Sequence, residues 1–266
     1  MNKIVFIIGA SSGIGYSTAE IFLDNNYIVY NGSRDSSPDN RVKNLTVDIS
    51  NYDTINQAVN TIIDEQGHID ILINSSGFSM AAAIDEVADE DYKYLFDVNL
   101  LGIIHTIKTV VPFMKEHGEG RIINISSIAS VTPIPYDPYY SASKAALDML
   151  TFALNAELVP FNIKLSSVLP GGTATDFTWK RKTIGYENSY VNNATSVLAR
   201  KEQRGMTAEA VAKIIYKTAI SKHPNIIIPC GFSNKLKYIS AKLIPKKMMI
   251  TMTRMIFKIN HKASSV

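Results

Sequence analysis

The chain has 266 residues, 46% of them apolar, and a net charge of +3. This length lets one large α/β domain bury most of the surface its unfolded chain exposes, the composition excludes a disordered or fibrous protein, and the lone Cys230 excludes an internal disulfide. The charge is lopsided: all 24 acidic residues lie at or before Glu209 against 16 basic ones, whereas positions 210–266 carry eleven basic residues and no acid.

Short β-rich runs alternate with longer amphipathic stretches, the pattern of a parallel sheet covered by helices on both faces. The first run, 4–8, has too few apolar residues for an export signal and is read as a buried strand. It leads into IIGASSGIG, which places Gly9, Gly13 and Gly15, with Ser11, Ser12 and Ile14 among them, at the turn into a helix at 13–25. Glycine permits the tight turn and lets backbone N–H groups approach a pyrophosphate at the positive end of the helix. The spacing differs from the common dinucleotide fingerprint, so its position directly after strand one carries the argument. Gly9 to Gly13 also spell the G-x-S-x-G elbow of serine hydrolases. That elbow belongs mid-sheet with an acid and then a histidine downstream, a context missing around His223 and His261.

The second strand, 27–31, runs into YNGSRDSS. Where an acid would hold the ribose hydroxyls of NAD stand Ser33 and Arg34, a hydroxyl and a guanidinium suited to a 2′-phosphate, which favours NADP(H). In the competing reading Asp35 takes the ribose and Arg34 is a solvated cation. Strand 44–47 ends at Asp48 and Ile49, and a helix follows at 52–66. Strand 69–73 ends in NSSG, Asn74 to Gly77. A single long helix is expected over 89–117, containing DVNLLG with Asn99, then strand 120–125 ending in Ser126 and Ser127. Helix 138–159 carries YSASK, strand 163–168 leads into LPGGTAT (Leu169 to Thr175), and helix 207–222 and strand 225–228 follow. The stretch 176–205 is polar, with Lys180, Arg181, Lys182, Trp179, Tyr186 and Tyr190 in weak periodicity, and is read as a mobile lid. No window offers about 18 uninterrupted apolar residues for a membrane-spanning helix. The five histidines show no metal-ligand spacing, and no metal is expected.

Tyr140 and Lys144 lie four residues apart on one helix face. A phenol titrates near pH 10, and a neighbouring ammonium lowers that value toward the working pH. Tyr139 has only Ser143 four residues on. Ser127, at a strand's carboxyl end and facing the same cleft, is placed to hydrogen-bond a substrate carbonyl.

Taken together in order, IIGASSGIG, NSSG, DVNLLG, IINISS, YSASK and LPGGTAT resemble the short-chain dehydrogenase/reductase family over about residues 3–228. The resemblance implies a single doubly wound α/β domain of Rossmann type, with a seven-stranded parallel sheet flanked by helices. It also implies roles. Asn99 would hold a water in a proton relay, Ser127 would orient the carbonyl, Tyr140 would transfer the proton, and Lys144 would tune Tyr140 and bind the nicotinamide ribose. Asp48 and Ile49 would meet the adenine. Asn74, with Ser75 and Gly77, would stand beside the cofactor, and Pro170, Gly171, Thr173 and Thr175 would border the nicotinamide and phosphates. Three positions depart from the family pattern: Ile8 replaces a threonine, Ser75 and Ser76 replace Asn-Ala, and Thr173 replaces a β-branched aliphatic residue. A homodimer or homotetramer through the helices carrying Asn99 and Tyr140 is also implied.

The resulting expectation is an NADP(H)-dependent oxidoreductase that interconverts a secondary alcohol and a ketone, located in the cytoplasm or at a membrane surface. The alternative on the same fold is a cofactor-binding regulatory or scaffolding protein. Residues 80–84, Tyr136, Phe177, Trp179, Tyr186 and Tyr190 would line a pocket for an apolar substrate such as a steroid, bile acid, retinoid or lipid-derived carbonyl. The catalytic domain is placed at 1–231 and a basic helical extension at 232–266. In it Leu236, Ile239, Leu243, Met248, Met252, Met255 and Ile259 recur at helical spacing around Pro245, giving two short basic amphipathic helices. They either dock over the substrate mouth or rest on an anionic membrane. No nucleic-acid recognition motif accompanies the charge.

Overall fold

The computed structural model describes residues 3–174, 177, 181–185 and 187–259. Seven strands, β1 (Ile4–Ile8), β2 (Ile28–Ser33), β3 (Lys43–Thr46), β4 (Ile71–Asn74), β5 (Gly120–Ile125), β6 (Ile163–Leu169) and β7 (Ile227–Pro229), form one sheet. Their order is β7-β6-β5-β4-β1-β2-β3 and every neighbouring pair is parallel. From β1 the chain winds outward through β2 and β3, then returns to place β4 on the other flank of β1. That reversal leaves a crevice at the carboxyl ends of β1 and β4, where ligands bind in open α/β sheets.

The strands bury both faces, and the pleat sorts their side chains between two cores. Ile4, Phe6 and Ile8 pack with Leu72, Ile122 and Leu165 against α2 (Tyr52–Gln66), α4 (Gly102–His117) and α5 (Pro138–Leu158). Val5 and Ile7 point the other way, joining Ile73, Ile123 and Val168 under α1 (Gly13–Asp24) and α7 (Ala208–Ile220). The helix ends follow local chemistry: Asn51 caps α2 by accepting from the Asp53 N–H, and Gly67 ends it in the left-handed conformation.

Three segments differ from the sequence expectation. The run expected as a single helix over 89–117 is α3 (Asp89–Phe96), a π-helical turn at Asp97–Leu101, then α4. The run is long and apolar enough to cross a membrane, although Asp97 and Lys108 interrupt its apolar sequence, but Leu95, Val98, Ile103, Ile107, Val110 and Met114 fill the core. The stretch read as an irregular lid contains α6 (Ser189–Gln203), held by buried Val191, Ala194, Val197 and Leu198. Trp179, Lys180 and Tyr186 lie outside the described residues. The histidines, scattered in sequence, are partly gathered by the fold. At the amino ends of the strands His68 stacks on His117 with ring centres 4.6 Å apart, and its Nε2 lies 3.2 Å from Asp70 Oδ2.

The basic terminal segment forms α8 (Phe232–Leu243) and α9 (Lys246–Ile256), divided at Pro245. It is tied to the body by Phe257, which is buried with Ala194, Val197 and Leu198 of α6 and whose carbonyl accepts from Asn193 Nδ2 at 2.6 Å.

Packing at the carboxyl end of β1 sets the tolerance of its glycines. A Cβ on Gly15 would stand 1.9 Å from the Gly9 carbonyl oxygen, whereas one on Gly67 would meet nothing within 4 Å and would suffer only from φ of +80°. Gly67→Ala is expected to cost about 1–2 kcal/mol, the usual left-handed penalty. Gly15→Ala, at an ordinary helical φ, instead overpacks against rigid backbone at the severe end of the usual cost of about 1–3 kcal/mol, so urea denaturation should rank it below Gly67→Ala.

Candidate active site

A cavity of about 1600 Å³ opens along the carboxyl ends of the strands. Its dinucleotide end is bordered by Gly9, Ser11, Ser12, Gly13 and Ile14 from the glycine-rich turn, Ser33 and Arg34 after β2, and Asp48 and Ile49 after β3. Ser75 and Gly77 after β4 continue the wall, and Ser127, Tyr140, Lys144, Pro170, Gly171 and Thr173 complete it. Gly15, Asn74 and Asn99 do not border the cavity but pack behind it, and Thr175 lies outside the described residues.

The fit to a dinucleotide can be judged from the turn itself. Gly9 has φ of +95°, and a Cβ there would lie 2.8 Å from Ser76 Oγ, so backbone rather than side chain forms this part of the wall. The first turn of α1 carries no acidic residue, whereas α2 and α3 carry Asp53 and Asp89 in theirs. The N-terminal N–H groups of α1 therefore face the crevice without a protein carboxylate competing for them, as a pyrophosphate site requires. These residues fit the dinucleotide. Asn31 organises the turn: its Oδ1 accepts from the Ala10 N–H at 2.9 Å and from Ser33 Oγ at 2.7 Å, and its Nδ2 donates to Asn44 Oδ1. The single Ser33 proton is thus engaged, and Arg34, which is exposed, is the group able to donate to a 2′-phosphate. Asp48 is held low by the Ser50 hydroxyl and backbone N–H, with Arg34 contributing.

At the other end Ser127, Tyr140 and Lys144 converge. Ser127 sits just past β5, where its Oγ accepts from the Ala129 N–H at 3.1 Å. Burial pushes the Tyr140 phenol up, and the Ser127 hydroxyl beside it pulls it back down. The i, i+4 spacing anticipated tuning by Lys144, and the packed site differs. Lys144 Nζ donates to the Ile125 carbonyl at 2.9 Å and lies 5.8 Å from the Tyr140 ring centre, and burial lowers its own pKa to about 8. The Ser127 hydroxyl is the larger of the influences that lower Tyr140, and Arg181 adds to it. Tyr139 turns away and stacks on Tyr92.

Asn99 shapes the same region from behind. Within the π-helical turn its Oδ1 accepts from the Phe78 N–H and its Nδ2 donates to the Phe78 carbonyl and to Ser143 Oγ. Gly77 fits because a Cβ would come within 3.0 Å of Asn99 Oδ1 and 3.3 Å of Lys144 Nζ. Asn74 donates to Asn124 Oδ1 at 2.8 Å, joining β4 to β5.

One polar group escaped the sequence reading. Asp137, three residues before Tyr140, is buried in the cavity wall and accepts from Ser79 Oγ at 2.6 Å. Ser79 Oγ in turn accepts from Arg181 Nε at 3.1 Å, and Arg181 pairs with Glu202 of α6. No motif marks these residues, because they come from four separated segments. The nearest signal was an acid at the start of the helix bearing Tyr140.

Burial pushes Asp137 up to about 7. The unfolded chain loses this proton near pH 3.8 and the folded chain near 7, so the folded state binds more protons between them and this group's contribution to stability falls as pH rises through that window. Asp137→Asn should cancel the fall: its Tm relative to wild type is expected to rise from pH 4 to pH 8. The same substitution removes a negative neighbour that raises Tyr140, so the Tyr140 titration should move toward lower pH.

Comparison with known proteins bears on the fold and the family. The family model for short chain dehydrogenases matches residues 3–184. A 3-ketodihydrosphingosine reductase from Bacteroides thetaiotaomicron is 34% identical over 265 residues, covering 97% of this chain and 98% of the relative. The crystal structure of a short-chain dehydrogenase from Streptomyces avermitilis superposes with a TM-score of 0.83 at 21% identity, covering 98% and 99% of the two chains. A short chain dehydrogenase from Burkholderia cenocepacia in complex with NADP gives a TM-score of 0.77 at 21% identity, covering 95% and 97%. With its doubly wound sheet and this crevice, the chain belongs to the short-chain dehydrogenase family.

Proposed function

We propose that the protein is an NADPH-dependent reductase of a ketone carried on a long-chain, lipid-derived molecule. The convergence of Ser127, Tyr140 and Lys144 on one wall of a cavity whose far end is the α1 N-terminus carries this reading. When bound, NADPH supplies the hydride to the carbonyl carbon. Ser127 Oγ donates a hydrogen bond to the carbonyl oxygen, and Tyr140 Oη delivers its proton to that oxygen as negative charge develops. Burial favours the neutral phenol, which makes Tyr140 a proton donor at neutral pH and suits the reductive direction. Lys144, fixed by the Ile125 carbonyl, holds the floor beside Gly77 where the nicotinamide ribose would lie.

The choice of NADPH rests on Arg34, the donor left at the end of β2, and agrees with the NADP held by the Burkholderia structure. The choice of substrate rests on two supports. Past Tyr140 the cavity is bordered by the apolar side chains of Ile134, Phe177, Leu198, Met249, Met252 and Phe257, with Lys201, over the Phe257 ring, and Lys237 beside them. The Bacteroides relative, similar over nearly its full length, is a reductase of 3-ketodihydrosphingosine, a long-chain ketone. Exposed Met149 and Phe152 on α5 and Leu101 beside α4 support association of subunits through those helices.

Absorbance of NADPH during turnover of a ketone series of rising chain length tests the proposal. Activity is expected to increase with chain length, and Arg34→Ala should reduce the preference for NADPH over NADH by about tenfold or more, the worth of one charge-assisted contact. Tyr140→Phe should keep cofactor affinity and lose about 10²–10⁴ in kcat. Equal activity of Tyr140→Phe and wild type on the same ketone would refute the mechanism.

A further inference from the structure

The two faces of the terminal helices lead to different surroundings. Their inner face borders the cavity through Ala241, Ile244, Met249, Met252, Ile256 and Phe257. Their outer face, formed by Ile239, Leu243, Met248, Ile250 and Met255, is exposed and borders no part of it, with Leu243 77% and Met255 66% accessible. On α8, Phe232, Leu236, Ile239 and Leu243 repeat at four, three and four residues as one exposed apolar stripe that runs from the cavity mouth, which Phe232 and Leu236 border, onto the outer face. Lys235, Lys242, Lys246 and Lys247 are exposed beside these side chains, and among the described residues none of the four forms an ion pair.

A soluble surface does not ordinarily expose so long an apolar stripe. The charge around it selects the partner. No acidic residue follows Glu209, so a second copy meeting this face about a two-fold axis would set lysines against lysines. A nucleic acid would engage the lysines but leave the apolar stripe in water. A bilayer with anionic head groups satisfies both, with apolar side chains entering the interface and lysines meeting lipid phosphates.

We propose that α8 and α9 dock the protein on an anionic lipid bilayer, outer face inward to the membrane, so that the cavity behind them receives its substrate from the lipid phase. What enters the cavity rests on the long-chain substrate proposed above, whereas docking does not. The same two helices are membrane anchor on one side and cavity wall on the other. A chain leaving the bilayer therefore passes from one apolar surface to the next without crossing bulk water.

Flotation of the full-length protein with vesicles tests the docking. Wild type is expected to float with phosphatidylcholine vesicles containing about one third phosphatidylglycerol, at least tenfold more than with phosphatidylcholine alone. The variant Ile239→Asp/Leu243→Asp/Met255→Asp should stay at the bottom of the gradient while reducing a small water-soluble ketone within twofold of wild type. A second variant, Lys235→Glu/Lys242→Glu/Lys246→Glu/Lys247→Glu, leaves the apolar stripe intact and should also lose the anionic vesicles. It provides the test should the first fail to fold. Wild type that does not float, or that floats no better than both variants, overturns the proposal. So does a wild-type dimer that ignores vesicles and that the aspartate variant dissociates, since the occupant of the face is then a second copy. Wild type that floats but reduces no long-chain ketone leaves the docking standing and refutes the substrate reading.

Discussion

The molecule is organised around the crowding of backbone at the carboxyl end of β1. There the Gly9 carbonyl leaves no room for a side chain at position 15, and Ser76 leaves none at position 9. Asn31 holds the intervening turn by accepting from Ala10. The glycine-rich turn thus packs directly on the start of α1 and against the segment after β4, with the Asn31 side chain of β2 bridging to it, and the N-terminus of α1 is delivered to the crevice. A helix whose first-turn N–H groups lack protein partners is an anion site only if its carboxylates are elsewhere, and α1 meets that condition.

The reacting end is governed by desolvation rather than by pairing. Asp137 and Tyr140 both rise because they are buried, and Lys144 falls for the same reason. All three shifts favour the neutral form, as expected for buried groups. Geometry then distinguishes them: Ser79 and the Met80 N–H serve Asp137, the Ile125 carbonyl serves Lys144, and Ser127 serves Tyr140. A buried phenol held neutral is suited to delivering a proton to a ketone as its oxygen gains charge.

Much of this was legible in the chain. The seven strands follow from apolar runs, and the glycine-rich turn, YSASK and the serines after β5 mark three separate borders of one cavity. What escaped depends on contacts between distant segments. The π-helical turn at Asn99 is invisible to periodicity, because it is stabilised by the Phe78 backbone 21 residues earlier. Helix α6 hides behind polar residues, since its inward face is Val191, Ala194, Val197 and Leu198 with the charged Glu202 at its end. Ser79, Asp137, Arg181 and Glu202 share no local pattern, and their proximity is a property of the folded chain alone. The i, i+4 spacing of Tyr140 and Lys144 placed both on one face but could not show that a main-chain carbonyl claims the ammonium.

Phe257 closes the structure in a further sense. Every residue bordering the dinucleotide end, from Gly9 through Thr173, has left the ribosome before the terminal helices are made. The apolar end is walled partly by α9, and α9 is fastened to α6 through that one buried ring and the Asn193 bond to its carbonyl. The two halves of the cavity are therefore completed at different times in the life of the chain. Clipping the last stretch by a protease would leave the glycine-rich turn and the wall at Ser127 and Tyr140 in place while removing α9 from the other end of the cavity. Integrity of α9 is thus a condition for a closed cavity, separate from integrity of the sheet and its helices.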